Sequence, residues 1–412
     1  MRQDASSVRQ DATSVRDNMD SIVEEGARGQ GALDPQEPPV AETPAAAKTK
    51  VSVASQWQLM RWRFGKHKLA VVSLWVIVFF YLVALFVEVI APADPNKTNE
   101  DYKYVSPMPI SFFDQNGHFS LRPGVYALTL KRNPETLRVS YVVDKSQWTP
   151  IHFFVRGDTY KFWNLWKGDR HLIGLGGKST DAPFYLLGSD RLGRDMLSRI
   201  VYGARISLSI GLISVFLSVI LGIALGGVSG YYGGMADTAI QRTIEFIRSL
   251  PTIPIWMALA AALPPGWSPL KVYFGITVIL SLIGWTGLAR VVRGRFLAMR
   301  EEDFVMAARF CGASEARIIF RHMAPSFLSH IIASLTLAIP GVILAETSLS
   351  FLGLGLRPPE ISWGVLLQEA QNIQTVALSP WLLLPGVAVI IVVLAFNFLG
   401  DGLRDAADPY SR

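Results

Sequence analysis

Five apolar runs, each close to twenty residues or longer, restrict this chain to folds that cross a lipid bilayer. They cover 69–91, 207–229, 272–292, 327–349 and 381–399, and each supplies the ~20 residues that a helix needs to cross ~30 Å of hydrocarbon. A sixth run, 253–263, is short by itself and follows Pro251 and Pro254. A helix begun near Ala236 and kinked at those prolines reaches the length, with neighbours satisfying the backbone groups that proline frees. Composition agrees, since half of the residues are hydrophobic and only 17% charged, the balance of a polytopic membrane protein.

An even number of spans places both termini on one side, and the basic residues say which. Lys48, Lys50, Arg61, Arg63, Lys66 and Lys68 precede the first span, while Arg290, Arg293, Arg295, Arg300, Arg309, Arg317 and Arg321 lie at or beyond the end of the fourth. The loops at 264–271 and 350–380 hold only Lys271 and Arg357. By the positive-inside rule the termini, the turn after Ser229 and the loop 293–325 are expected in the cytoplasm, and the long segment after the first span outside. The net charge of +6 is thereby a matter of topology; lipid is an expected partner and nucleic acid is not. The single cysteine, Cys311, excludes an intrachain disulfide. No cleavable signal peptide is read ahead of the first span, which is expected to act as the insertion signal.

Residues 1–60 read as a disordered cytoplasmic tail. Its start repeats RQDASSV as RQDATSV, placing Ala5, Val8, Ala12, Val15, Met19 and Ile22 at heptad spacing, but so short and alanine-rich a seam is marginal as a helix. Residues 27–50 read as a linker. An extracytoplasmic insertion, 92–185, carries alternating patterns such as Leu137, Val139, Tyr141, Val143 and Ile151, Phe153, Val155, the period of half-buried strands. Its aromatics Tyr160, Phe162, Trp163 and Trp166 are expected to fill the core of that small domain. GLGGKST at 174–180 is no phosphate loop, because Leu172 stands where the first glycine belongs. Residues 186–206 read as an amphipathic interfacial helix with i,i+4 pairs Arg191 to Asp195 and Asp195 to Arg199. The membrane core follows at 207–401, then a short cytoplasmic tail, 402–412.

Within that core, DFVMAARFCGASEARIIFRHMAP, Asp303 to Pro325, is a polar, Arg-rich stretch between two spans. Ala308 with Gly312 and Ala307 with Cys311 are i,i+4 neighbours, so one helix face carries small side chains that admit another surface, and Pro325 closes the segment. Glu88 and Glu346 are carboxylates inside apolar runs, which is costly without water or a partner. Glu88 is expected to snorkel to the interface; Glu346 either lines a pathway or braces the glycine turn at Gly353 and Gly355. Gly222, Gly226 and Gly230 recur at four-residue spacing, suiting close helix packing within this chain or against another. The six histidines are dispersed without metal-ligand spacing, so neither a cofactor nor a metal nor a catalytic site is expected.

Four motifs carry a family resemblance. LLGSDRLGRDMLSRIVYGARISLSIG, 186–211, is similar to the signature of permease subunits from the oligopeptide/dipeptide branch of bacterial ABC importers, with Ser189 in place of threonine. Asp303 to Pro325 resembles the permease EAA loop, matching at Ala307, Ala308, Gly312 and Pro325 and departing at Met306, His322 and Ala324. ETSLSFLGLGLRPPEISWGVLL, 346–367, and LGDGLRDAADP, 399–409, resemble the signatures around the last two spans of the C-type subunit. The resemblance implies an all-α polytopic membrane protein with six transmembrane helices, the type I ABC importer permease fold, here with a small β-containing extracytoplasmic insertion. It further implies a second permease subunit as heterodimer partner, cytoplasmic ATP-binding subunits that hydrolyse ATP, and an extracytoplasmic solute-binding protein, in a bacterial inner membrane. Asp303, Ala307, Ala308, Gly312, Ala313 and Pro325 are the expected ATPase-coupling residues. An ion-coupled secondary transporter fits less well, because the spans are nearly free of charge and no repeated half is visible; a membrane-anchored sensor acting through the insertion is the other alternative.

Overall fold

A computed structural model describes residues 56–132, 139–175 and 184–407. The heptad repeat, the linker and most of GLGGKST lie outside the described residues. Helix α1, Gln56–Lys66, leads into α2, Lys68–Leu85, whose N-cap His67 accepts from the Ala70 N–H. After a break at Phe86 a single turn, α3, Val87–Ile90, follows. The bundle continues with α4, Met196–Tyr232, the pair α5, Gly234–Ser249, and α6, Thr252–Ala261, and then α7, Pro269–Met299. Among the described residues five helices are long and apolar enough to cross a membrane, and the α5/α6 pair makes a sixth if counted as one broken span. That pair turns through 89°. The kinked helix expected there is therefore a break: Leu250 and the N-cap Pro251 are extended, and Pro251 has no N–H to carry the helical ladder across.

The expected interfacial helix over 186–206 also differs from the structure. Residues up to Asp195 form hydrogen-bonded turns, and the remainder is the start of the continuous 37-residue α4. A turn wins because Asp190 and Asp195 bind backbone N–H groups that a helix would need.

Helix α4 packs along α7 through the four-residue glycine spacing. A Cβ at Gly226 would stand 2.5 Å from the Ala289 carbonyl oxygen, and one at Gly230 2.6 Å from Phe296 Cβ. Close approach lets Ser214 and Ser218 hydroxyls donate across the seam to the carbonyls of Thr277 and Ser281, both at 3.1 Å. This glycine face is used inside the chain. The opposite side of α4 joins α2, Leu328–Phe351 (α9) and Leu384–Ala407 (α10) in a core of Leu208, Ile343, Trp363, Val392 and Phe396.

Between α3 and α4 an antiparallel sheet runs in order β1, Ile110–Phe113; β2, Phe119–Arg132; β3, Val139–Phe162; β4, Trp166–Leu175. Its core is Val105, Met108, Val125, Leu128, Ile151 and Tyr185. Trp163 and Trp166 are exposed, contrary to the expectation that they fill that core.

Candidate functional site

The segment 303–325 is not one helix. Helix α8, Asp303–Phe310, starts with Asp303 in its first turn, where a negative charge complements the helix dipole. It stops at Gly312, which has φ +71. The Gly312 N–H donates to the Arg309 carbonyl at 2.9 Å and the Ala313 N–H to that of Ala308 at 3.0 Å, the two bonds of a Schellman closure whose left-handed position suits glycine. The chain then resumes at Glu315–Arg317 and widens into a π turn, Ile318–Met323, just before Pro325. Pro325 lacks the N–H an α ladder would use there.

Closure at Gly312 divides the small residues expected on one face. Val305 is buried, with Ala308 and Ala313 against the same cluster of Tyr231, Phe296, Ile318 and Met323. Phe304, Ala307, Phe310 and Cys311 turn outward, and Phe310 is 85% exposed. An exposed phenylalanine at the end of a short helix is an apolar knob without a packing partner among the described residues.

Two tyrosines at the end of α4 hold both flanks of Gly312. Arg309 donates from Nε to the Tyr231 hydroxyl at 3.1 Å and lies 4.8 Å from the centre of its ring, a cation–π contact. On the far flank the Tyr232 hydroxyl donates to Glu315. The same end of α4 is tied to α5 and α7, since Arg293 donates twice to Asp237, at 2.5 Å each, and Ser229 donates to the same carboxylate. Sequence reading missed Phe310, Tyr231 and Tyr232; the Tyr-Tyr pair just ahead of Gly233 and Gly234 was the available signal.

At the other end of the bundle Glu346 is fully buried and accepts from Ser207 at 3.2 Å and Ser350 at 2.9 Å. The Ser350 hydroxyl also accepts the Leu356 N–H, and Ser207 that of Trp363. Gly353, with φ +74, ends α9, and a Cβ on Gly355 would meet Ser350 N at 2.7 Å. Glu346, Gly353 and Gly355 thus form one packed corner.

Glu88 does not snorkel. It is buried and paired with both terminal nitrogens of Arg205 at 2.7 Å, while Arg205 Nε donates to the Ala84 carbonyl and Trp163 N–H donates to Glu88. The break at Phe86 explains the pairing, because it leaves helix-end carbonyls for Arg205 to satisfy. Such a pair is dear to break, since removing one partner strands a buried charge at about 3–5 kcal/mol.

The motif 189–199 also pairs differently from expectation. Asp190 is the hub: it takes the Leu192 and Arg194 N–H groups, Arg194 Nε at 2.6 Å and, at 3.4 Å, Arg199. Asp195 instead caps α4 through Ser198 N and Oγ, at 2.7 and 2.6 Å. Burial pushes its carboxyl up to about 6, with Asp190 adding to the rise and the Ser198 bonds opposing it.

Two family profiles match this architecture. The inner membrane component of binding-protein-dependent transport systems matches residues 218–412, and the N-terminal membrane domain of oligopeptide transport permease C matches 55–107. A putative peptide permease protein of Brucella ovis is 38% identical over 264 residues, covering 63% of this chain and 84% of the relative. The chain belongs to the binding-protein-dependent permease family. The permease is also 39% identical to a dipeptide transport system permease protein of Bacillus subtilis, over 55% of this chain and 68% of that one. An oligopeptide transport system permease protein of Haemophilus influenzae is 39% identical, over 57% and 73%. A solved inward-facing MetNI methionine ABC transporter chain overlaps 51% of the permease and 97% of itself, with a TM-score of 0.39 and 18% identity, a likeness too slight to add anything. The permease is a multi-pass membrane subunit of a bacterial ABC importer. Residues 303–325 and the glycine corner fall inside the first match, whereas residues 108–217, which hold the sheet, lie between the two.

Proposed function

We propose that the permease moves oligopeptides, or solutes of similar size, across the inner membrane as one half of a heterodimer with a second permease subunit. An extracytoplasmic solute-binding protein delivers the solute, and ATP-binding subunits docked on 303–325 supply the energy. Both termini lie in the cytoplasm. The peptide class rests on the names of the relatives; the orientation rests on the basic residues beside the spans.

The observation that carries the coupling role is the exposed stripe of Phe304, Ala307, Phe310 and Cys311 on a short helix closed rigidly at Gly312. Phe310 enters an apolar groove of the ATP-binding subunit, where burying such a side chain is worth about 1.5–3 kcal/mol. Asp303 starts this helix, Ala308 and Ala313 seat it on the bundle, and Pro325 marks where the segment rejoins α9. Tyr231 and Tyr232 pass movement of the segment to α4, and the Asp237–Arg293 pair spreads it to α5 and α7. Glu346, Gly353 and Gly355 act as a fixed corner that keeps α4 and α9 moving together, not as a solute site.

Reconstitution in proteoliposomes with the second permease subunit, the ATP-binding subunits and the binding protein tests the reading. Peptide uptake is expected to require ATP and to proceed without any ion gradient. Uptake on a proton or sodium gradient with the ATP-binding subunits left out contradicts it.

A further inference from the structure

The tip of the β3–β4 hairpin packs against the C-terminal end of α2, the first candidate span. Phe162 stacks on Phe86, ring centres 6.0 Å apart, and Trp163 Nε1 donates to the Leu85 carbonyl at 3.0 Å. Both partners lie at the end of α2, whose 18 residues rise ~27 Å at ~1.5 Å each, close to the ~30 Å hydrocarbon thickness. Whatever touches Leu85 and Phe86 is therefore at the depth of the lipid headgroups. At that depth the hairpin turns apolar side chains away from the protein: Leu165 is 71% and Trp166 66% exposed, and Trp166 continues the aromatic stack from Phe162 at 6.4 Å.

Charge and backbone point the same way. Lys161 and Lys167 face each other directly in the ladder, one step from the pair Phe162 and Trp166. Like charges directly opposite repel, and both are exposed with no acidic side chain paired to them among the described residues. One step is ~3.4 Å, so an apolar tip is followed at once by a cationic collar. In the turn itself Trp163 and Asn164 have φ +49 and +59. A tryptophan in the left-handed region is strained, and the Leu85 bond together with the Arg205 guanidinium 4.2 Å from its ring centre holds it there.

We infer that the β3–β4 hairpin tip is a second membrane anchor, with Leu165 and Trp166 seated in the lipid leaflet on the insertion side, Trp163 pinning the tip to the end of α2, and Lys161 and Lys167 on the phosphates of its headgroups. Tryptophan favours this interface because its ring is apolar and its N–H polar. The anchor ties the sheet to the leaflet as well as to α3, and it stands independently of the coupling role given to 303–325.

The test is spin-label accessibility in the full-length permease, reconstituted in vesicles of phosphatidylethanolamine and phosphatidylglycerol. Cys311→Ser removes the native thiol; Leu165→Cys places a label at the tip, and Leu121→Cys places one on β2 at an 89% exposed position. Oxygen concentrates in lipid and a nickel chelate in water, so the oxygen-to-nickel ratio is expected to be at least about five-fold higher at 165 than at 121. Equal ratios overturn the anchor, because the tip is then in water. A label at 165 that neither quencher reaches overturns it as well, because protein covers the tip.

Discussion

Asp195 shows how a single carboxyl reports the turn ahead of α4. Burial pushes it up to about 6, well above the ordinary carboxylate range. A raised carboxyl contributes stability that is fully present below its unfolded value and is lost as pH rises through the folded one. Asp195→Asn keeps the helix cap, since asparagine caps as well as aspartate, and removes the titration. The apparent Tm of the permease minus that of the variant is therefore expected to fall as pH rises from about 4 to about 7, measured by thermal denaturation in detergent. A difference that stays constant with pH contradicts the assignment. The charges of this motif were legible in the sequence and their pairing was not: helical spacing pairs Arg191 with Asp195, whereas the turn hands Arg194 and Arg199 to Asp190. Glu88 was legible as an anomaly in an apolar run, but its partner Arg205 lies 117 residues away, beyond any local pattern.

Among the elements, α4 and α7 set the frame of the bundle, packed along the glycine face of α4. Gly226→Ala puts a methyl group 2.5 Å from the Ala289 oxygen, and overpacking of that kind costs about 1–3 kcal/mol. Gly341→Ala, on α9 with nothing within 4 Å, is expected to be neutral or to stabilise by up to about 1 kcal/mol. Thermal denaturation of the two variants side by side reads the difference; equal Tm values contradict the close helix contact. The glycine spacing was visible as a packing face, but a spacing cannot name the partner helix. Hydropathy located the spans and Pro251 the break in the pair α5/α6. It could not separate a kink from an 89° turn, because proline permits both. In 303–325 the helical pattern was sound as far as Phe310, and Gly312 was readable as a small residue that admits another surface. The bonds of Gly312 and Ala313 back to the last turn make it a stop.

For the whole molecule, the span count and the membrane class follow from composition, because a bilayer leaves few ways to satisfy a backbone. The sheet was visible as alternation, while its aromatic tip was assigned to a core on the grounds that aromatics outside a membrane usually fill one. Nothing local signals that a hairpin more than seventy residues beyond Phe86 returns to stack on it. The account as a whole rests on 303–325 being the place where ATP-driven movement enters the bundle, and Phe310 isolates that claim because an 85% exposed side chain can be changed without disturbing the fold. Phe310→Asp, in the complex with the second permease subunit and the ATP-binding subunits, is to be measured for ATP-driven uptake and for co-purification of those subunits. Both are expected to fall at least about ten-fold, an effect of ~1.4 kcal/mol or more, with Tm and membrane insertion unchanged; uptake at the level of the unsubstituted permease would contradict the account.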